Sequence, residues 1–339
     1  MKVVTFGEIM LRLAPKGYLR FFQSPEFEAT FGGGEANVAV SLANFGVDAA
    51  FLTRLPDNDI GRSAERELKK YGVDVSGIAF GGDRMGIYFL EKGAAQRPSK
   101  VVYDRKYSSV STAAEEDFDF DKEMKGADWF HFTGITPALG GKLPELAAAA
   151  CKAAKKAGAK VSCDLNYRKN LWTTEQAGAC MGGLMQYVDL LIANEEDAEK
   201  VFGIKGEKTS VSKGELDKDE YISVAKKLTG RFGFETVAIT LRRSISASDN
   251  IWGGMLYNNE GTFFSKDYNV HIVDRVGGGD SFAAGLIYAQ LSGMDPQNSI
   301  GFAAAASALK HSVEGDFNLI SLKEVETLAG GDGSGRVQR

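Results

Sequence analysis

The sequence predicts an α/β fold: a doubly wound, mostly parallel sheet flanked by helices, with a small β-sheet lid. Three observations predict it. From Trp129 onward, short apolar runs of strand type alternate with helical stretches at a steady spacing. Two earlier stretches, about 9–31 and 84–112, are rich in strand-like pieces and break that rhythm. Two runs of three glycines, at 32–34 and 277–279, each lead directly into a helical pattern.

KVVTFG opens the chain as a β-branched run ending in glycine, a buried strand by pattern. IMLRLA, YLRFFQ and FEATF then read as strand-like pieces punctuated by Pro15, Gly17 and Pro25. EANVAVSLANFG carries helical spacing with Gly46 at its C-terminal end, AAFLTRL reads as a strand, and GRSAERELKKYG reads as a surface helix closed by Gly72. RMGIYFLEKG and SKVVYDRKYSS form a hairpin around the loop GAAQRPS. The regular part follows: strand DWFHFTG, helix LPELAAAACKAAKKAG, strand KVSCDLN, helix EQAGACMGGLMQYV, strand DLLIAN, helix EEDAEKVFG, helix YISVAKKLTGRFG, strand TVAITL, a hairpin through IWGGMLYNNEGTFF, and two closing helices. Residues 205–219 are polar and read as a surface loop. The chain is expected to form one domain over 1–325, with the Gly-rich end, 326–339, expected to be disordered. In a doubly wound sheet the ligand sits beyond the carboxyl ends of the strands, and the two strand-rich patches would cover it as a lid.

Composition narrows the function. The 339 residues are 44% hydrophobic and 25% charged, enough apolar material for a large core without disulfides. A net charge of −5 offers no basic stripe, so nucleic acid is not an expected partner. Cys151, Cys163 and Cys180 are widely spaced without a CxxC pair, which fits buried thiols in a reducing compartment. His131, His271 and His311 have no metal-ligand spacing. No apolar run of 18 residues and no signal-peptide layout occurs, so the expectation is a cytoplasmic protein with no membrane partner.

The stretch VDRVGGGDSFAAGLIYA, 273–289, carries the chemistry. Three consecutive glycines cost more chain entropy than any other tripeptide, so the backbone there must do something that side chains would obstruct. At a helix start, Gly277, Gly278 and Gly279 expose amides that, with the helix dipole, attract an anion. Asp280 follows in the first turn as a carboxylate able to accept a proton. An ordinary glycine-rich turn with a capping aspartate fits the same residues. Neither GxxxxGK[ST] nor GxGxxG is present, so two familiar phosphate loops are excluded. Phosphoryl transfer needs alignment, charge neutralisation and a carboxylate near the attacking hydroxyl, and this stretch supplies the last two.

The run Asp274-Arg275-Val276-Gly277-Gly278-Gly279-Asp280 resembles the DTxGAGD signature of ribokinase-like (PfkB-type) carbohydrate kinases. The resemblance extends to GGGEANVAV at 32–40, to NEED at 194–197 and to the order of the lid segments, covering 1 to about 325. It implies a ribokinase-like fold, ATP and Mg2+ as nucleotide and metal, the three glycines as the anion hole, and Asp280 as the base. In that family NxxE positions magnesium and phosphates; the carry-over falls on Asn194, and on Asp197 as an indirect metal residue, one methylene shorter than the usual glutamate. Asn194 with its acidic neighbours equally fits a plain helix cap. Arg242 stands after TVAITL, where the family commonly has glycines lining the nucleotide; it either meets ATP phosphates or is a solvated surface arginine. Arg275 and Val276 depart from the usual small residues.

Side-chain alternation bears on the acceptor. In SKVVYDRKYSS a period of two places Tyr103, Arg105 and Tyr107 on one face. A sugar acid calls for a forked cation, and Arg105 and Arg168 qualify, the latter just past strand KVSCD; each also fits a plain surface arginine. GIYFLEKG, VVYDRKYS, FTGITPALG and DLNYRKNLW resemble the substrate segments of the subgroup acting on 2-keto-3-deoxygluconate. The resemblance implies substrate contacts at Gly33, Gly34, Asn37, Tyr88, Tyr103, Arg105 and Arg168: hydroxyls and keto oxygen on the tyrosines and Asn37, the acid on the arginines, and a close backbone approach at the glycines. A kinase for a neutral sugar such as fructose or ribose, or a non-catalytic sugar-binding protein of the same fold, remains an alternative. Open lid edges favour a homo-oligomer through the lid sheet.

Overall fold

A computed structural model describes residues 1–206 and 218–335. In chain order the elements are β1 (Lys2–Phe6), β2 (Met10–Ala14), β3 (Glu28–Gly32), α1 (Gly34–Asn44), β4 (Asp48–Leu52), β5 (Arg54–Leu55), α2 (Asp59–Lys70), β6 (Ala79–Phe80), β7 (Ile87–Glu91), β8 (Lys100–Asp104), α3 (Phe120–Glu123), β9 (Trp129–Thr133), α4 (Ile135–Ala138), α5 (Leu143–Lys156), β10 (Lys160–Asp164), α6 (Thr174–Leu184), β11 (Leu190–Ala193), α7 (Glu195–Phe202) and α8 (Lys218–Phe232). They continue with β12 (Thr236–Ser244), β13 (Asp249–Asn258), β14 (Gly261–Phe264), β15 (Tyr268–His271), α9 (Gly278–Leu291), α10 (Pro296–Lys310) and α11 (Leu322–Ala329).

The main sheet runs β14-β13-β12-β11-β10-β9-β1-β4, with β15 also on β13. From β12 to β4 every pairing is parallel. All those carboxyl ends therefore face one edge. The chain leaves β1 for β4 on one side and returns to β9 on the other, so β1 and β9 flank the topological switch. Strand residues alternate between two buried layers. Leu191 and Ala193 pack with α5, α6 and α8, whereas Leu190 and Ile192 pack with the α1, α2 and α9 side. α9 is apolar nearly all round, and Phe282, fully buried, contributes roughly 1.5–3 kcal/mol by burial.

The lid is a separate sheet, β3-β2-β7-β8, assembled from both strand-rich patches. β7 and β8 pair antiparallel, as the hairpin pattern predicts, and the register places Tyr88 opposite Tyr103. The other lid pairings join β2 to β3 and to β7, so its two early strands lie beside the hairpin.

Several expectations need correction. YLRFFQ forms turns between β2 and β3, because Pro15, Gly17 and Pro25 break the run on both sides. Tyr107 does not share a strand face with Tyr103: β8 ends at Asp104, and Tyr107 sits in a turn with φ 57° and 78% exposure. Three helices close the chain, since α11, capped by Ser321 and Glu324, follows α9 and α10. That helix takes in residues 326–329, the start of the stretch expected to be disordered. The surface loop expected over 205–219 falls mostly on 207–217, outside the described residues, as do tail residues 336–339.

Candidate active site

A cleft of about 660 Å3 lies at the carboxyl edge of the main sheet, with Met10, Tyr88, Val101 and Tyr103 of the lid among its lining. The parallel strands explain what collects there. Glu8 lies just past β1, Asp164 ends β10, Asn194 follows β11, and Thr240, Arg242 and Ser244 alternate along the end of β12. Following the strand order, the lid and the β1–β9–β10 side make one end of the cleft, and the β11–β12 side makes the other.

α9 begins at the cleft. Gly277 has φ 82°, the left-handed conformation that favours glycine, and a Cβ there would stand 2.0 Å from the Asp316 carbonyl oxygen. A Cβ on Gly278 would meet the His311 ring at 2.6 Å, whereas one on Gly279 meets nothing within 4 Å. The first two glycines thus permit close packing from below, and the third faces open space. Gly278 donates to Arg275 O at a long 3.4 Å. The Gly279 and Asp280 amides have no backbone acceptor among the described residues and stand in the positive first turn.

Asp280 is half-buried on the cleft wall. Asn37 Nδ2 donates to its Oδ2 at 2.6 Å, and Asn37 Oδ1 accepts from Gly33 N at 3.2 Å. The α1 asparagine therefore orients the carboxylate. Burial pushes Asp280 up to about 6; the Asn37 hydrogen bond and the charges of Arg168 and Lys310 pull it down, while Asp316 pushes it up. A carboxyl group titrating there is mostly ionised near neutrality yet more basic than a free aspartate, which suits a general base.

The glycines of the first run have separate reasons. A Cβ on Gly32 would overlap the Asp316 carboxylate and one on Gly33 would stand 1.9 Å from Glu8 O, so both serve packing. Gly33, at φ 178°, is simply extended. Close approach by a ligand falls to Gly34, whose Cβ would reach only ordinary contact with Thr133 and, at 3.7 Å, Asp280 Oδ1.

The lid residues are differently committed. Tyr88 lines the cleft, but its buried hydroxyl lies 2.6 Å from both Asp316 oxygens and donates to that carboxylate. Asp316 also accepts from Arg12 Nη1 at 2.7 Å, and Asp274 accepts from Arg12 Nη2 at 2.5 Å, tying β2 to the turn before the glycines. Tyr103 is 43% exposed, with Arg105 over its ring at 5.3 Å. Arg105 is not a free fork: its Nε and one Nη pair with buried Glu8, whose other oxygen accepts from Ser108 Oγ at 2.6 Å. Arg168 is exposed at the cleft, donating among the described residues to Tyr167 O at 3.3 Å, and its charge lowers the pKa of Asp164, Asp197 and Asp280 alike.

At the opposite end, Asn194 caps α7 by accepting from Asp197 N at 2.8 Å, so its capping role is realised while it also lines the cleft. Asp197 accepts from Tyr167 N at 3.1 Å, and burial pushes it up to about 6. Asp164 is pushed well above the carboxylate range by burial and by the charges of Asp197 and Asp280. Among the described residues no group of three His, Cys, Asp or Glu side chains could hold a metal alone. Arg242 faces the cleft beside Arg275, whose guanidinium is held below its ordinary value by burial and by Arg242. Glu8, Asp164 and Asp316 escaped the sequence reading, and Arg275 entered it only as a departure from the usual small residues. Asp164, a carboxylate at the end of a parallel strand, carried a usable signal; Asp316 did not.

A polarised carboxylate beside open helix-start amides, beneath a lid, defines an enzyme that moves an anionic group to a small acceptor. A model of the pfkB family carbohydrate kinases matches residues 1–321, and the chain belongs to that family. It is 34% identical over 334 residues, 98% of each chain, to a 2-dehydro-3-deoxygalactonokinase of Haloferax volcanii. It is 54% identical, with a TM-score of 0.93 and 98% of each chain covered, to the crystal structure of a 2-dehydro-3-deoxygluconokinase of Thermotoga maritima. At 19% identity it shares its fold, with a TM-score of 0.79 over 97% of this chain and 99% of the other, with a putative ribokinase II of E. coli solved with ATP and Mg2+.

Proposed function

We propose that this carbohydrate kinase transfers a phosphoryl group from ATP to the terminal hydroxyl of a 2-keto-3-deoxy sugar acid, 2-keto-3-deoxygluconate, giving the 6-phosphate. The observation that carries the reading is Asp280, oriented by Asn37 at 2.6 Å and raised to about 6, next to the open amides of Gly279 and Asp280. Its relatives of 34% and 54% identity, named as kinases of such acids, support the substrate class.

The hydroxyl would lie between Gly34 and Asp280, where a missing Cβ leaves room. Asp280 takes its proton as the new P–O bond forms, and the first-turn amides stabilise the charge on the phosphoryl oxygens. Arg168 lines the cleft with no carboxylate partner among the described residues, and Arg105 offers its remaining nitrogen, Nη1, while Glu8 fixes its plane. Tyr103 and the lid strands exclude water. The triphosphate would lie toward Arg242 and Arg275. Magnesium, which neutralises phosphate charge, would be held by the nucleotide, with Asp197 and Asp164 within influence. Two neighbouring carboxylates both raised in pKa suit an incoming cation better than a bare anion.

A coupled assay across 2-keto-3-deoxygluconate, its galactonate epimer, fructose and ribose tests this. Turnover of the acids with Arg105→Ala raising KM for them, and not for a neutral ketose, is expected. Preferred turnover of a neutral sugar contradicts it. We also place the enzyme in the cytoplasm, in keeping with its free Cys151, Cys163 and Cys180, and pair two copies through the lid, where β8 is exposed along its length and Phe22 is 83% exposed. A monomer by light scattering at micromolar concentration overturns that pairing.

A further inference from the structure

Beneath the glycine turn lies a lysine that no step above uses. Lys310, the last residue of α10, is fully buried, and its ammonium donates to Val313 O at 3.1 Å, its one acceptor among the described residues. An ammonium has three donors and leaves water at high cost, so its presence there calls for a reason.

The surroundings supply one. The end of α10 packs under the start of α9: Ser307 Oγ donates to Gly278 O at 2.6 Å, and the His311 ring occupies the space a Cβ on Gly278 would take. Lys310 Cε lies 3.2 Å from where a Cβ on Gly277 would stand. The underside of the turn therefore gathers a helix C-terminus, worth about half a negative charge, with the carboxylates of Asp274 and Asp316. All of these oppose the arrival of an anion on the upper side. Arg12 pairs with both carboxylates but brings one charge against two. Lys310 brings the other.

We propose that Lys310 is a positioning residue whose buried ammonium balances the acidic underside of the 277–279 turn, so that the amides above present a positive field to the phosphoryl group. The inference rests on the reading of Asp280 and its amides as the transfer site. Burial lowers the pKa of Lys310 while Asp274, Asp316 and Asp280 raise it and Arg12 lowers it. His311, held near 4 by burial, stays neutral through the working range. Asp280 is faced by Asn37 from α1, Arg168 and Asp164 from the end of β10, Asp316, and Lys310 from α10.

Lys310→Met keeps the length of the side chain and removes its charge. The expected result is a fall in kcat of about tenfold or more, since at an effective dielectric of about 20 a unit charge gives a factor of ten at roughly 12 Å and a larger one at shorter range. The acid limb of kcat/KM should also move to higher pH, with KM for the sugar acid nearly unchanged. A folded Lys310→Met enzyme whose acid limb has not moved overturns the inference, and Asp280→Asn, still inactive, then shows the transfer site standing. Asp316→Asn, which removes a charge of the other sign, should move the limb to lower pH, and Lys310→Met/Asp316→Asn should return it toward wild type. That pair serves even where Lys310→Met alone fails to fold: a double variant with the same limb as Asp316→Asn overturns the inference.

Discussion

The two glycine runs look alike in the sequence, GGGE at 32–35 and GGGD at 277–280, and each begins a helix, yet they do opposite things. At the first, Gly32 and Gly33 let backbone pack against Asp316 and Glu8, and Glu35 turns inward, 1% exposed. Glu35 Oε1 accepts from Thr133 N at 2.9 Å, Thr133 Oγ1 at 2.8 Å and Thr136 Oγ1 at 2.7 Å, and burial still raises its carboxyl to about 7. At the second, Gly279 faces open space and Asp280 turns to the cleft. The difference lies in what packs from outside: a glycine run means an anion site only where its amides and the following acid are left uncovered.

The largest expected effect separates the two acids. Asp280→Asn should lose ~10²–10⁴ in kcat with sugar binding by calorimetry retained. The next separates the glycines by kind of damage. Gly279→Ala, with nothing within 4 Å of the new methyl, should keep stability within about 0.5 kcal/mol yet lose on the order of 10² in turnover by displacing the phosphoryl group. Gly33→Ala should instead cost about 2 kcal/mol or more in urea unfolding, because its methyl would meet the Glu8 carbonyl at 1.9 Å. Equal loss of stability in both would erase the distinction.

The smallest effect is a pH dependence at Glu35. A carboxyl raised to about 7 in the folded chain gives stability that is full below its unfolded pKa and is lost as pH rises through 7. Wild type should therefore fall by about 1 kcal/mol relative to Glu35→Gln between pH 6 and pH 8. A constant gap across that range would show Glu35 already ionised at pH 6.

The sheet, the helices and the lid hairpin were legible because periodicity and turn chemistry are local: β7 and β8 pair around the predicted loop, and α5 and α9 run where their apolar spacing places them. The placement of Asp280 in the first turn of a helix was legible for the same reason, since it lies next to its own glycines. What was not legible depends on contacts between distant segments. Arg105 pairs with Glu8 across 97 positions and Tyr88 with Asp316 across 228, so two side chains read as free for a ligand already have partners. Asn37, read as a substrate contact, is drawn to Asp280 across 243 positions. Tyr107 was misplaced because nothing in VVYDRKYSS marks the end of the strand at Asp104.

The most direct test of the central claim is the acid limb of kcat/KM in wild type and in Asn37→Ala. With Asp280 as the base, the wild-type limb lies near pH 6 and moves to higher pH when the Asn37 hydrogen bond, which favours the carboxylate, is removed. A limb near the ordinary aspartate value, or one that Asn37→Ala leaves in place, would contradict it.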